Sequence, residues 1–313
     1  MNDSRLTKLS AWAMGLVFVT ILLGSMVCAT DSSSTCPAWP ACYPDQIAPQ
    51  LQVGWLENPV IEFVHRAIAF AGLVLTGLTG WFGRRHPDGR VRVLPWVALG
   101  CAVGSAVFGM MIILFTLPLL LGLLDLGLAL VALLLTTTTY LALRRGEMLA
   151  DAVPTRRLAG GTFALLVVMH LLGSVVAGTT STGTGSFTRC LSWPLWTIVE
   201  IDGSPVLQGL RMAMAVVAAG LIIALADRAR RADAGGLALA LVVSLLVELG
   251  LGMVILNAGV TAGQTNGIQA TIAVLYSAVA VVIMWCVAFA FARAMPRPSG
   301  ESSAASAGAG TRR

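Results

Sequence analysis

Eight separate apolar runs, each about 20 residues or longer, limit what this chain can fold into before any motif is considered. A helix rises about 1.5 Å per residue, so roughly 20 apolar residues cross the hydrocarbon core of a bilayer. The runs fall at about 9–30, 58–83, 93–115, 117–143, 158–178, 204–227, 235–257 and 267–294. Hydrophobic residues make up 57% of the 313 and charged ones 11%, and the mean hydropathy is +0.85. A soluble domain of this size needs far more polar surface, so the expected class is an all-α membrane protein with eight transmembrane helices.

Basic residues give an orientation. With the N-terminus inside, 17 of the 20 Lys and Arg fall in cytoplasmic segments, from Arg5 and Lys8 to Arg312 and Arg313. Arg189 lies in an outer loop, and Arg66 and Arg211 lie within helix starts. The positive-inside rule then predicts cytoplasmic N- and C-termini in a cell (plasma) membrane, with the lipid bilayer as the first partner. The net charge of +5 is scattered over short loops and gives no argument for nucleic acid. The first run, flanked by Arg5 and Lys8, looks like a signal peptide but is expected to stay as a helix. The Ser-, Ala- and Gly-rich tail, 296–313, is expected to be disordered.

The two halves of the chain repeat. Leu22–Val27 matches Leu171–Val176, and Cys36-Pro-Ala-Trp-Pro-Ala-Cys42 matches Cys190-Leu-Ser-Trp-Pro-Leu-Trp196. Pro59–Ala67 matches Pro205–Ala213, and Gly109–Ile112 matches Gly252–Ile255, with a fainter match of Leu124-Asp125 to Leu275-Tyr276. The shared order predicts two tandem four-helix bundles, 1–150 and 151–295, related by a pseudo-two-fold along the membrane normal. In this register Glu62 stands against Gln208 and His65 against Arg211.

Polar residues inside the spans are costly and usually face the bundle interior. His65 lies about two turns, roughly 10 Å, into the second span. Asp125, Arg211 and Tyr276 lie at comparable depth in the fourth, sixth and eighth, which predicts one polar layer. The layer either marks a site or only ties helices together. Glu62 and His65 are three apart and share a helix face. Histidine suits heme iron as an axial ligand, a nearby carboxylate can fix its tautomer or take a proton, and Arg66 suits a propionate. His170 in the fifth span reads as a packing histidine or as a compensating ligand. Glu248 in the seventh reads as a proton-path residue or as a partner of a neighbouring helix. His86, among Arg84, Arg85 and Pro87, is expected to be solvated.

Cys36 and Cys42 stand in an outer loop, where a disulfide is expected. It would act as a lid clamp or a redox pair. Cys190 matches Cys36, but Trp196 replaces its partner, so that loop cannot close the same bridge. Cys28, Cys101 and Cys286 read as small apolar side chains. The Gly- and Thr-rich stretch from Gly178 to Gly185 reads as a flexible loop. Nucleotide-binding, zinc-protease and nucleophile-elbow motifs do not stand out.

Eight spans in two halves, the Cys36-Pro-Ala-Trp-Pro-Ala-Cys42 loop and Glu62-x-x-His65-Arg66 together resemble the heme A synthase family. The resemblance extends to about Arg293. It implies an oxidoreductase that converts the heme O methyl group to the formyl of heme A for cytochrome oxidase assembly. It also implies heme O as substrate in the first half and heme b in the second, held by four histidines on the even-numbered helices. Heme O synthase and oxidase assembly factors are the implied partners, and homo-oligomer formation is left open. Carried over by position, His65 alone of the four histidines is present; Asp125, Arg211 and Tyr276 stand at the other places. The expectation is therefore a divergent member with His65 as heme ligand, Glu62 as its proton or electrostatic partner, and a degenerate second site. Two alternatives are kept: a heme-free scaffold or assembly partner, and a membrane thiol-disulfide oxidoreductase using Cys36 and Cys42.

Overall fold

A computed structural model of the chain describes residues 2–30, 32–51, 54, 56–115, 119–144, 152–177, 190–194, 205–257 and 267–295, without the side chains of Ser34, Gln269 and Ala270. The Gly178–Gly185 stretch, Arg189, Trp196 and the tail 296–313 lie outside these residues. Eight helices follow in order: α1 Asp3–Ala29, α2 Pro59–Gly83, α3 Gly89–Leu114, α4 Leu119–Arg144, α5 Ala152–Ala177, α6 Pro205–Arg231, α7 Gly235–Asn257 and α8 Gly267–Arg293. All eight are long and apolar enough to cross a membrane, and no strand occurs among the described residues.

Several helices extend beyond their apolar runs because polar caps, not hydropathy, set their ends. α1 starts at Asp3, where the Asn2 side chain accepts from the Ser4 N–H at 3.4 Å. α2 starts at Pro59, whose missing N–H costs nothing there, behind Asn58, which accepts from Val60 N–H at 2.9 Å. α3 starts at Gly89 because Asp88 accepts from Arg90 N–H at 2.9 Å. Within the apolar spans, hydroxyls bond back to their own helix. Thr136, Thr138 and Thr139 on α4 donate to the carbonyls of Ala132, Leu134 and Leu135 at 2.7–2.9 Å. This accounts for three of the four threonines in the run; the buried Thr137 hydroxyl has no partner.

The first four helices pack as a ring, α1 on α2, α2 on α3, α3 on α4 and α4 on α1. The last four do the same, α5 on α6, α6 on α7, α7 on α8 and α8 on α5. The rings join where α8 packs on α1 and α4, and α4 on α5. Exchanging α1–α4 for α5–α8 carries these principal pairings onto themselves. At the seam the Phe18 and Trp285 rings stack with centroids 4.1 Å apart. Most of the buried hydrophobic residues form one core, centred on the second ring and reaching α1 and α4 of the first.

Two disulfides close at one end of the bundle. Cys36–Cys42 is the expected loop bridge. The other corrects the sequence reading of Cys28 and Cys190: they bond to each other, with Cα atoms 5.7 Å apart and a sequence separation of 162. Cys28 sits in the last turn of α1, and Cys190 opens the described segment that leads toward α6. The bridge therefore joins the two halves. Cys101 and Cys286 are free, as expected.

Candidate functional site

The sequence-expected polar residues gather into two clusters, one per half. In the first half α2 carries Glu62, His65 and Arg66 in its first two turns. Glu62 is buried, 5% exposed. Arg66 Nε donates to Glu62 Oε1 at 2.8 Å. The rest of the guanidinium turns to the disulfide loop: Nη1 donates to the Ala38 and Ala41 carbonyls at 2.6 and 3.1 Å, and Nη2 to the Cys36 carbonyl at 2.7 Å. Arg66 is thus committed to the chain's own carboxylate and backbone, and the expected role on a propionate has no support in its geometry.

His65 lies against α1 where Gly24 leaves room for it. A Cβ at position 24 would stand 3.2 Å from the imidazole Cε1. The ring engages the Thr20 backbone, and its Nδ1 has no hydrogen-bond partner. Glu62 lies within electrostatic range of both His65 and Asp125. Asp125 on α4 accepts a hydrogen bond from the Ser105 hydroxyl on α3, beside Gly109, where a Cβ would be 3.7 Å from its Oδ2. Sequence reading missed Ser105.

In the second half the described segment Cys190–Pro194 is buried throughout and belongs to the core. Arg211 on α6 is fully buried; its Nε donates to the Met169 carbonyl at 3.1 Å, Nη2 to the Ser192 carbonyl at 3.1 Å and Nη1 to Gln208 Oε1 at 3.4 Å. Tyr276 on α8 donates its hydroxyl to the Trp193 carbonyl at 3.0 Å. Glu248 on α7 accepts from the Trp193 N–H at 3.2 Å, while its Oε2 is unpartnered. Glu248 therefore bonds to this segment and not to a neighbouring helix. His170, 1% exposed, lies near the Ser192 backbone and within electrostatic range of Arg211. Neither of its ring nitrogens has a partner in strict hydrogen-bond geometry, and the Ser192 backbone is its polar neighbour. His86, in contrast, accepts from the Asp88 N–H at 3.1 Å in the loop between α2 and α3.

The halves correspond in detail. Thr20 lies four residues before Gly24 and Met169 four before Gly173. His65 engages the first backbone and Arg211 the second. Ser105 lies four residues before Gly109 and Glu248 four before Gly252. A Cβ on Gly252 would be 3.4 Å from the Tyr276 hydroxyl, as one on Gly109 would approach Asp125. Ala38 and Ser192 hold matching places, and an arginine takes the carbonyl of each. In the first half that arginine is Arg66. In the second it is Arg211, at the place matching His65.

Heme iron takes a histidine nitrogen as axial ligand. The first half offers His65, with one ring nitrogen unpartnered, and so fits single-histidine ligation. The second half does not fit. Arg211 is not a ligand, the Tyr276 hydroxyl serves Trp193, and His170 is sealed beside Ser192. No group of three His, Cys, Asp or Glu suited to a metal ion occurs among the described residues. Comparison of the chain with protein-family models and with curated proteins gave no match.

Proposed function

We propose that the protein is a divergent heme-handling membrane protein of heme A synthase type, with its working site in the first half. The observation that carries this reading is the Arg66 clamp. One guanidinium ties the Cys36–Cys42 loop to the buried Glu62 carboxylate, one turn from a histidine with an unpartnered nitrogen. A bound heme would supply the iron and, as heme O, the methyl group to be oxidised. In this reading His65 holds the group, Glu62 accepts or gives a proton beside it, and Arg66 keeps the disulfide loop over both. The halves arise by duplication about a pseudo-two-fold axis, with both termini cytoplasmic in the plasma membrane and with oxidase assembly factors as partners.

The alternative of a heme-free scaffold is favoured by the second half, where the ligand places serve the chain's own backbone. The visible spectrum of the detergent-purified protein, reduced and oxidised, separates the two. A Soret band that weakens or shifts in His65→Ala is the expected result, and extracted heme A or a hydroxylated heme O would establish oxidation. A colourless protein that takes up no hemin on reconstitution would favour the scaffold.

A further inference from the structure

We propose that the second half carries an intrachain docking site whose ligand is a peptide backbone, and that Cys190–Pro194 is its occupant. Three helices each supply one anchor. Arg211 on α6 takes the Ser192 carbonyl, Glu248 on α7 takes the Trp193 N–H, and Tyr276 on α8 takes the Trp193 carbonyl. The Cys28–Cys190 bond tethers the segment to α1 of the first half.

The matching loop of the first half shows why the segment goes in. Trp39 and Trp193 occupy the same repeat position, three residues after Cys36 and Cys190. Trp39 is 48% exposed and Trp193 3%. In the first half Ser105 and Asp125 satisfy each other across α3 and α4, so neither reaches for the loop. Their counterparts Glu248 and Tyr276 both turn to the Trp193 backbone instead. The anchoring arginine has moved one place along the helix, from the register of Arg66 to that of His65. That move spends the ligand position on the segment. An external ligand is thereby left with the first half alone.

Hydrogen–deuterium exchange of the full chain in detergent tests this without any heme, because the Trp193 amide is buried and bonded. Slow exchange in the peptide covering 190–194 is expected. Glu248→Ala should speed it by about tenfold or more while the helix interiors stay protected. Tyr276→Phe, which removes one hydroxyl and little volume, serves if Glu248→Ala does not fold, with the same expected direction. Exchange at the rate of an unprotected peptide in the unaltered protein would overturn the docking site. Hemin titration then separates the two proposals. Failure to bind any hemin counts against the heme reading and leaves the exchange result to decide docking. A second equivalent that removes protection from 190–194 overturns docking.

Discussion

Cys28 and Cys190 are bonded to each other, tying the end of the first helix to a segment of the opposite half. Peptide mapping under non-reducing conditions should recover a cross-linked pair containing these two cysteines, separate from the peptide that holds Cys36 and Cys42. Cys28→Ser should destabilise the protein by about 2–5 kcal/mol, the usual range for losing a native disulfide. Thermal unfolding in detergent, with and without reductant, measures it, and the variant should lose most of its response to reductant.

Arg66 should be among the most sensitive positions in the first half. Arg66→Met leaves the buried Glu62 carboxylate and three backbone carbonyls without their donor. Removing one partner of a buried ion pair costs about 3–5 kcal/mol. Arg66→Lys should recover only part of this, because an ammonium cannot span the carboxylate and the loop in one plane. Denaturation midpoints of the two variants give the order.

Gly24 should tolerate little growth. A Cβ would lie 3.2 Å from the His65 ring, so Ala forces a small shift and Val a large one. Overpacking of this kind costs about 1–3 kcal/mol. Gly24→Val should lower the melting temperature, and the double variant Gly24→Val with His65→Ala should regain part of the loss.

Asp88 predicts a pH effect outside the spans. Partial burial works against ionisation there, but hydrogen bonds and charge from Arg90 outweigh it and hold the carboxyl below the usual carboxylate range. A depressed folded-state pKa means stabilisation that is present above the ordinary carboxylate pKa and lost as pH falls through the folded value. Below about pH 4 the start of α3 should therefore fray first, seen as faster amide exchange around Gly89–Arg92. Asp88→Ala should remove that pH dependence and cost about 1 kcal/mol, as loss of a helix cap does.

Spans, loop bridge and repeat were legible in the sequence because each has a local signature: a run of apolar letters, two cysteines close together, a matched string. The contacts that define the clusters were not. Arg66 and Arg211 spend most of their donors on backbone carbonyls, and a carbonyl leaves no mark on residue identity. The Cys28–Cys190 pair was hidden by a sequence separation of 162. The burial of Trp193 was hidden because its cause sits on α7 and α8, far along the chain. One signal was within reach: reading a single turn back from the matched Gly109 and Gly252 sets Ser105 against Glu248, which marks where the halves part.

The Cys28–Cys190 bond also changes what it means to cut this chain. A single nick between Arg144 and Ala152 severs the polypeptide between the two rings, yet both pieces keep a sulfur in the same bond. In denaturing electrophoresis the nicked protein would travel as one species until a reductant is added, and only then as two four-helix fragments. Its covalent integrity therefore depends on the redox state around it as well as on the continuity of its backbone.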